Sequence, residues 1–147
     1  MTSEDTKNIA RRYLDGFNGT DLSRVEEFIA EDCSFHGPGT PPGLTGPEGY
    51  RQIVEVYRRA FPDEHISVDE QIAEGEKVAT SWHAEGTHRG ELFGIQPTNK
   101  HGRTTAMHFF TVRGGKIRDA QIEWDMMGLM QQLGVVPMPG QGERRAA

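Results

Sequence analysis

Apolar positions recur at helical spacing through the first third of the chain and alternate after it. From Thr2 to Asn18, Ile9, Ala10, Tyr13, Leu14 and Phe17 fall on one helical face, and Glu4 and Asp5 sit where the helix dipole favours negative charge. Asp21–Ala30 groups Leu22, Val25, Phe28 and Ile29 and predicts a second helix capped by Thr20 or Asp21. A third opens on Thr45-Gly46-Pro47-Glu48, a threonine-x-x-glutamate capping box with proline in the first turn. It aligns Tyr50, Ile53, Val54, Tyr57 and Phe61 and stops at Pro62. Between the second and third helices, a short strand at Ser34–His36 runs into "GPGTPPGL", a Pro/Gly loop from Gly37 to Leu44.

From His65 the pattern is that of strands. "HISVDEQIAEG", "KVATSWHAEGTHRG", "RTTAMHFFTVR" and "KIRDAQIEW" predict four of them, the last two joined by Gly114-Gly115, a strong hairpin signal. A closing helix spans about Met126 to Leu133. Helices followed by an antiparallel meander imply an α+β fold, with the helices on one face of a curved sheet. Residues 1–136 read as one domain and residues 137–147 as a flexible C-terminal tail.

Composition narrows the function classes. The 147 residues carry 22 acidic against 16 basic side chains, a net charge of −6, which disfavours a nucleic-acid surface. No apolar run approaches the roughly 20 residues of a membrane span, and "MTSEDTKNIARRY" lacks the pattern of a signal peptide, so a cytoplasmic location is expected. The lone Cys33 excludes an internal disulfide and a cysteine-based zinc cluster, and reads as a small buried thiol rather than a nucleophile.

The hairpin sets the chemistry. If Gly114-Gly115 form a two-residue loop, Val112 opposes Ile117 and His108 opposes Gln121. His108, Gln121, Glu123 and Asp125 then share one face, and Met107, Phe109, Ile122 and Trp124 the other. Either the polar set faces water, or it lines a cavity while the apolar set packs on another sheet or subunit. A slip of one residue would exchange the faces. Glu123 and Asp125 lie about 6–7 Å apart along the strand, and in a dry pocket desolvation and mutual repulsion would raise a carboxylate pKa toward useful acid/base work. Asp125 also begins the closing helix and suits an N-cap, although Gly128 three residues on denies it a capping box.

"GKIRDAQIEWDMMGLMQQLG" resembles the closing signature of the SnoaL-like polyketide cyclases, with Gly115-Lys116-Ile117, Asp125 and Gln132-Leu133-Gly134 in matching places. "GLTGPEGYRQIVEVYRRAFPD" is similar to the family's third helix, and "GTHRGELFGIQPTNK" to its Gly-Thr-His-x-Gly-Glu…Gly-x-x-Pro-Thr loop. The resemblance implies a cone-shaped α+β barrel of the nuclear-transport-factor-like (cystatin-like) superfamily, with helices over a central pocket. It also implies a homodimer or homotetramer whose contacts cover the outer sheet face, which turns the polar set inward with Asp125 as acid/base residue. Two departures stand out: Asp119-Ala120-Gln121 replaces a frequent Glu-His-Trp, and Asn99-Lys100 replaces Gly-Lys.

His108, facing Gln121 and diagonal to Glu123, is the expected second site residue. His36 at a pocket mouth, His83 on the second strand, and Tyr13, Phe17, Tyr50 and Tyr57 on the helices are expected to contact substrate. His88 belongs to the loop motif, where architecture and contact read equally well, and His65 and His101 are expected in solvent. His83 and His88 point to opposite faces of a strand, and no metalloprotease or phosphate-cradle motif occurs, so neither metal nor organic cofactor is expected. The reading that follows from the resemblance is cofactor-free aldol ring closure of a small hydrophobic polycarbonyl substrate, with Asp125 as base and His108 and Gln121 as hydrogen-bond partners. Isomerase, dehydratase, epoxide hydrolase and cofactor-free hydroxylase chemistry, or ligand binding without turnover, are the alternatives on such a fold.

Overall fold

Thr2 and Asp5 close a reciprocal cap at the start of the chain. The Asp5 amide donates to Thr2 Oγ1 at 3.1 Å and the Thr2 amide to Asp5 Oδ2 at 2.9 Å, which launches helix α1, Ser3–Asp15. The computed structural model describes residues 1–137, so the expected tail lies, beyond Pro137, outside the described residues. After α1 come β1 (Ile29–His36), α2 (Gly46–Ala60), β2 (His65–Glu74), β3 (Lys77–Thr87), β4 (His101–Arg113), β5 (Lys116–Trp124) and α3 (Met126–Gln132). Among the described residues no helix is long and apolar enough to cross a membrane.

Two expectations near the N-terminus need correction. Asp21–Ala30 is not a helix: Asp21 folds onto Ser23, accepting from its amide at 3.0 Å and its hydroxyl at 2.8 Å, and only a 3-10 turn at Val25–Glu27 follows. The backbone then extends so that Ile29 can pair with β5, while Val25, Phe28 and Ile29 still reach the core. Thr45 does precede α2, with Pro47 in the first turn, but its side chain caps nothing and Glu48 lies beside Arg51 instead. The next residue explains why. Gly46, at φ +68°, packs so tightly on β1 that a Cβ there would stand 2.5 Å from the Glu31 carbonyl oxygen.

The sheet runs β1-β5-β4-β3-β2, open at β1 and β2 rather than closed into a barrel, and the β1–β5 pair is parallel whereas the others are antiparallel. Gly114 (φ +62°) and Gly115 (φ +78°) form the expected turn, and Val112 does oppose Ile117. One step later the register shifts. Thr111 pairs with Asp119, so Arg118 is an extra residue in β5, and His108 faces Ile122 rather than Gln121.

This bulge splits the expected polar face. His108 points inward with Ala106 and Phe110, opposite Ile122, Ala120 and Trp124 on β5. Gln121 and Glu123 point outward beside Phe109 and Met107. Helices α1 and α2 cover the inner face. Tyr50 is fully buried there, its hydroxyl donating to the Tyr13 carbonyl oxygen. Tyr50→Phe should remove that bond and little else, lowering stability by about 1–2 kcal/mol in thermal or chemical denaturation; an unchanged midpoint would show that this bond does not hold α1 to α2.

Candidate active site

Between the helices and the sheet lies a part-open cavity. Tyr13 and Phe17 come to it from α1 and its following turn, Ile53 and Tyr57 from α2, Trp82 from β3, His108 from β4, and Trp124 from the end of β5. Its void is about 70 Å³, room for a few waters, so a ring-sized guest must part the side chains at its rim. That rim is stitched by two hydrogen bonds. Tyr57 donates its hydroxyl to the Gly39 carbonyl at 2.9 Å, and Trp124 its indole N–H to the Pro38 carbonyl at 2.8 Å. The loop can come so close because Gly37 and Gly39 carry no side chain: a Cβ would stand 2.2 Å from the Ile122 carbonyl oxygen at Gly37, and 2.4 Å from the Tyr57 hydroxyl at Gly39.

His108 is the polar centre of the wall. Its ring is stacked on Phe110 (4.8 Å, 3° between planes) and on Trp82 (5.9 Å, 23°), with Tyr13 edge-on at 5.2 Å. The Trp82 indole N–H donates to Nδ1 at 2.9 Å, so in the neutral ring Nε2 carries the proton and is the donor left over. Burial pushes the pKa down to about 3, and the ring is therefore neutral at ordinary pH.

A second ionisable group meets the same space, one the sequence reading passed over. Glu64 precedes β2 and lines both the main cavity and an adjoining recess formed by Phe61, Ala84, Glu85, Gly86, Gly102 and Thr104 with Leu129. The residue keeps some exposed surface, but its Oε1 is buried and has no hydrogen-bond partner among the described residues. Burial, partly offset by Arg58 and reinforced by Asp63, pushes its carboxyl pKa up to about 8. The alternation of β2 contained the signal: Ile66 and Val68 point into the core, and Glu64 continues that series by one step.

The expected site residues divide. His108, Tyr13, Phe17 and Tyr57 line the cavity. Tyr50 lies behind it in the core and does not line it. Gln121 and Glu123 are on the outer face, turned there by the bulge at Arg118. His36 is exposed, bound to Asp119 Oδ1 at 2.7 Å, and His83 lies on the outer side of β3 against Asp69 Oδ1 at 2.8 Å. His88 is fully buried, its Nδ1 accepting from the Thr98 amide at 3.1 Å, and so serves the loop's architecture. His65 and His101 are exposed as expected, and Cys33 is buried, its thiol pushed up to about 12 by desolvation. Asn99, where the resembling loops carry glycine, sits at φ +59°, a conformation asparagine tolerates.

Asp125 takes the capping position that its place before the closing helix also suggested. It is exposed, caps α3 by accepting from the Gly128 amide at 2.9 Å, and does not line the cavity. Gly128, expected to weaken a capping role, enables it. A Cβ at that position would stand 2.1 Å from Asp125 Oδ2, so the missing side chain lets the carboxylate fold onto the helix end.

The two cavity groups act on stability with opposite sign. An unfolded histidine protonates near 6.5 and folded His108 only near 3, so stability falls as pH drops from 6.5 toward 3. An unfolded glutamate ionises near 4.5 and folded Glu64 near 8, so the contribution present below 4.5 is lost as pH rises toward 8. In denaturant titrations, Glu64→Gln should gain stability relative to the parent on going from pH 5 to pH 8, and His108→Leu on going from pH 7 to pH 4. Equal differences at both pH values would contradict the burial of these groups.

Residues 7–133 match the family model of the SnoaL-like polyketide cyclases. The nogalonic acid methyl ester cyclase of Streptomyces nogalater is 32% identical over 124 residues, covering 82% of this chain and 91% of that protein. The aklanonic acid methyl ester cyclase of Streptomyces peucetius is 30% identical over 131 residues, covering 86% and 89%. Among solved structures, TsrD from Streptomyces laurentii superposes with a TM-score of 0.82 at 19% identity, covering 92% of this chain and 99% of that one. IdmH from Streptomyces antibioticus gives 0.74 at 32% identity, covering 88% and 99%.

Proposed function

The chain belongs to the SnoaL-like polyketide cyclases, and from that premise we propose that it closes a ring in a polyketide-like polycarbonyl substrate by intramolecular aldol addition, in the cytoplasm and without a cofactor. The observation that carries this reading is the neutral His108, held by Trp82 in an apolar cavity with a single N–H to offer. Removal of a proton between two carbonyls places negative charge on oxygen. A fixed donor in a site of low polarity stabilises that charge more than water-exposed donors do, because it needs no reorientation as the charge develops. Tyr13, Phe17, Tyr57 and Trp124 supply flat apolar walls that hold a folded chain with its reacting carbons close together.

A second reading, ligand binding without turnover, gains support from Asp125, whose capping geometry leaves the expected base outside the cavity. Product mass, chromatographic retention and the carbon NMR spectrum together separate the possibilities. Purified protein is offered aklanonic acid methyl ester and nogalonic acid methyl ester, the substrates named for its relatives. Ring closure conserves mass but shifts retention and replaces a ketone carbon with a carbinol carbon in the NMR spectrum. Isomerisation conserves mass without forming that carbinol, dehydration lowers the mass, hydroxylation raises it, and a binding module leaves mass, retention and spectrum unchanged. His108→Leu should reduce kcat by about 10²–10³-fold. Trp82→Phe, which removes the indole donor and keeps an aromatic ring, should reduce it less. If neither variant slows turnover, His108 is not the donor.

The outer sheet face belongs to the same proposal as the contact surface of a homodimer or homotetramer. Ile72, Met107 and Phe109 lie there, 67%, 63% and 48% exposed in the single chain. Sedimentation of the parent should show an oligomer that Phe109→Lys weakens toward monomer. A monomeric parent would reject the assembly and leave the cavity chemistry untouched.

A further inference from the structure

We propose that Glu64 is the base of this site, removing the proton from the carbon between the substrate's carbonyls; this rests on the cyclase reading above. Three placements carry it. Glu64 lines the same cavity as His108, its Oε1 is buried without a partner among the described residues, and the expected alternative, Asp125, is turned onto α3. A buried carboxyl oxygen with no hydrogen bond is costly to keep and uncommon, and it is the arrangement that leaves an oxygen free to accept a proton from a guest.

The turn that presents Glu64 is built firmly. Asp63 accepts from the Thr87 amide at 2.7 Å and from the Thr87 hydroxyl at 2.8 Å, tying the α2–β2 turn to the end of β3. The Glu64 amide donates to the Phe61 carbonyl at 3.0 Å within the turn. Opposite stands Gly86, where a Cβ would meet the Glu64 Cα at 3.3 Å, so the turn seats directly on the strand. Asp63 is in these terms a positioning residue, and Glu64 is the group that touches substrate.

The ionisable groups around the carboxyl are few. Arg58 and Tyr57 reach it from α2, Asp63 lies beside it in its own turn, Glu85 shares the recess from β3, and His108 shares the cavity from β4. Arg58 favours the ionised form and Asp63 opposes it, with burial the largest influence, so the carboxyl ionises near neutrality, where a base balances availability against strength.

The step balances without a co-reactant. A Glu64 carboxylate oxygen bonds the proton as the C–H bond breaks, and the electron pair moves to the carbonyl oxygen, which the His108 Nε2–H holds. The enolate carbon then bonds the second carbonyl carbon, whose π pair moves to its own oxygen. The Glu64 carboxylic acid returns its proton to that alkoxide, leaving a hydroxyl and the carboxylate restored. No atom is gained or lost.

Two assays test the assignment apart from the overall function. The first follows turnover of the methyl ester substrates by parent, Glu64→Gln and Asp125→Asn. Glu64→Gln should lose about 10²–10³-fold in kcat and Asp125→Asn should stay within a few-fold. In the parent, kcat/KM should rise with pH, reach half its maximum near 8 and level off above that. The second follows hydrogen–deuterium exchange of α-tetralone, a flat ketone that can enolise but cannot close a ring, by proton NMR. The parent should accelerate exchange, Asp125→Asn should match it, and Glu64→Gln should fall to the rate in buffer. Exchange without turnover would reject the cyclase reading and keep Glu64 as a base. Full activity of Glu64→Gln in either assay, absence of exchange by the parent, or loss confined to Asp125→Asn overturns the proposal.

Discussion

The single extra residue at Arg118 governs which side chains meet the cavity. A strand shows alternate residues to opposite faces, so inserting one residue reverses the order for everything beyond it. On the Gly114-Gly115 side of the bulge, Ile117 faces the core as simple pairing requires. Beyond it, Ala120, Ile122 and Trp124 take the inner face and Gln121 and Glu123 the outer one. The cavity wall is therefore apolar along β5, and His108 is its polar centre on the neighbouring strand. Trp124, carried inward by the same reversal, reaches the Pro38 carbonyl and fastens the glycine-rich loop over the rim.

That apolar wall determines the state of the ionisable groups it encloses. Desolvation penalises the charged form of any acid or base, which for histidine means a neutral ring and for glutamate a proton kept to higher pH. His108 and Glu64 are both moved this way, in opposite directions on the pH scale, by one physical cause. Such a pair differs from an ion pair, which would hold both charges and quench both reactivities. A neutral donor and an acid that ionises near neutrality match the demands of enolate chemistry, where charge is born on substrate oxygen and a proton is taken and returned.

Membership of the SnoaL-like cyclases fits this arrangement at the level of the fold, and the relatives named as methyl ester cyclases cover 86% and 82% of the chain. Within that frame the chain has its own accents. Asn99, where the resemblance would set a glycine, adopts a left-handed backbone, and Gln121, where it would set a tryptophan, faces outward. An outward Gln121 means that this departure bears on the outer surface and leaves the cavity wall to Ile122 and Trp124.

Much of the architecture was legible along the chain. The apolar stripes of α1 and α2, the stop at Pro62, the alternation of the long strands and the paired glycines are local signals, and local backbone preferences were enough to realise them. The failures were also local in cause. Asp21–Ala30 carried helical spacing over too few residues to outweigh the Asp21–Ser23 turn and the pairing of Ile29 with β5. The bulge carried no mark, since neither glycine nor proline stands at Arg118 and its extra residue is set by how β5 meets β4 and β1 together. Burial of Glu64 likewise depends on α2, β3 and the Asp63–Thr87 tie closing around it. By itself the sequence determined the family, the α+β class and the helical aromatic residues. Only the tertiary structure decided that Asp125 caps a helix while Glu64 and His108 share the cavity, because a side chain's solvent and partners come from segments distant along the chain.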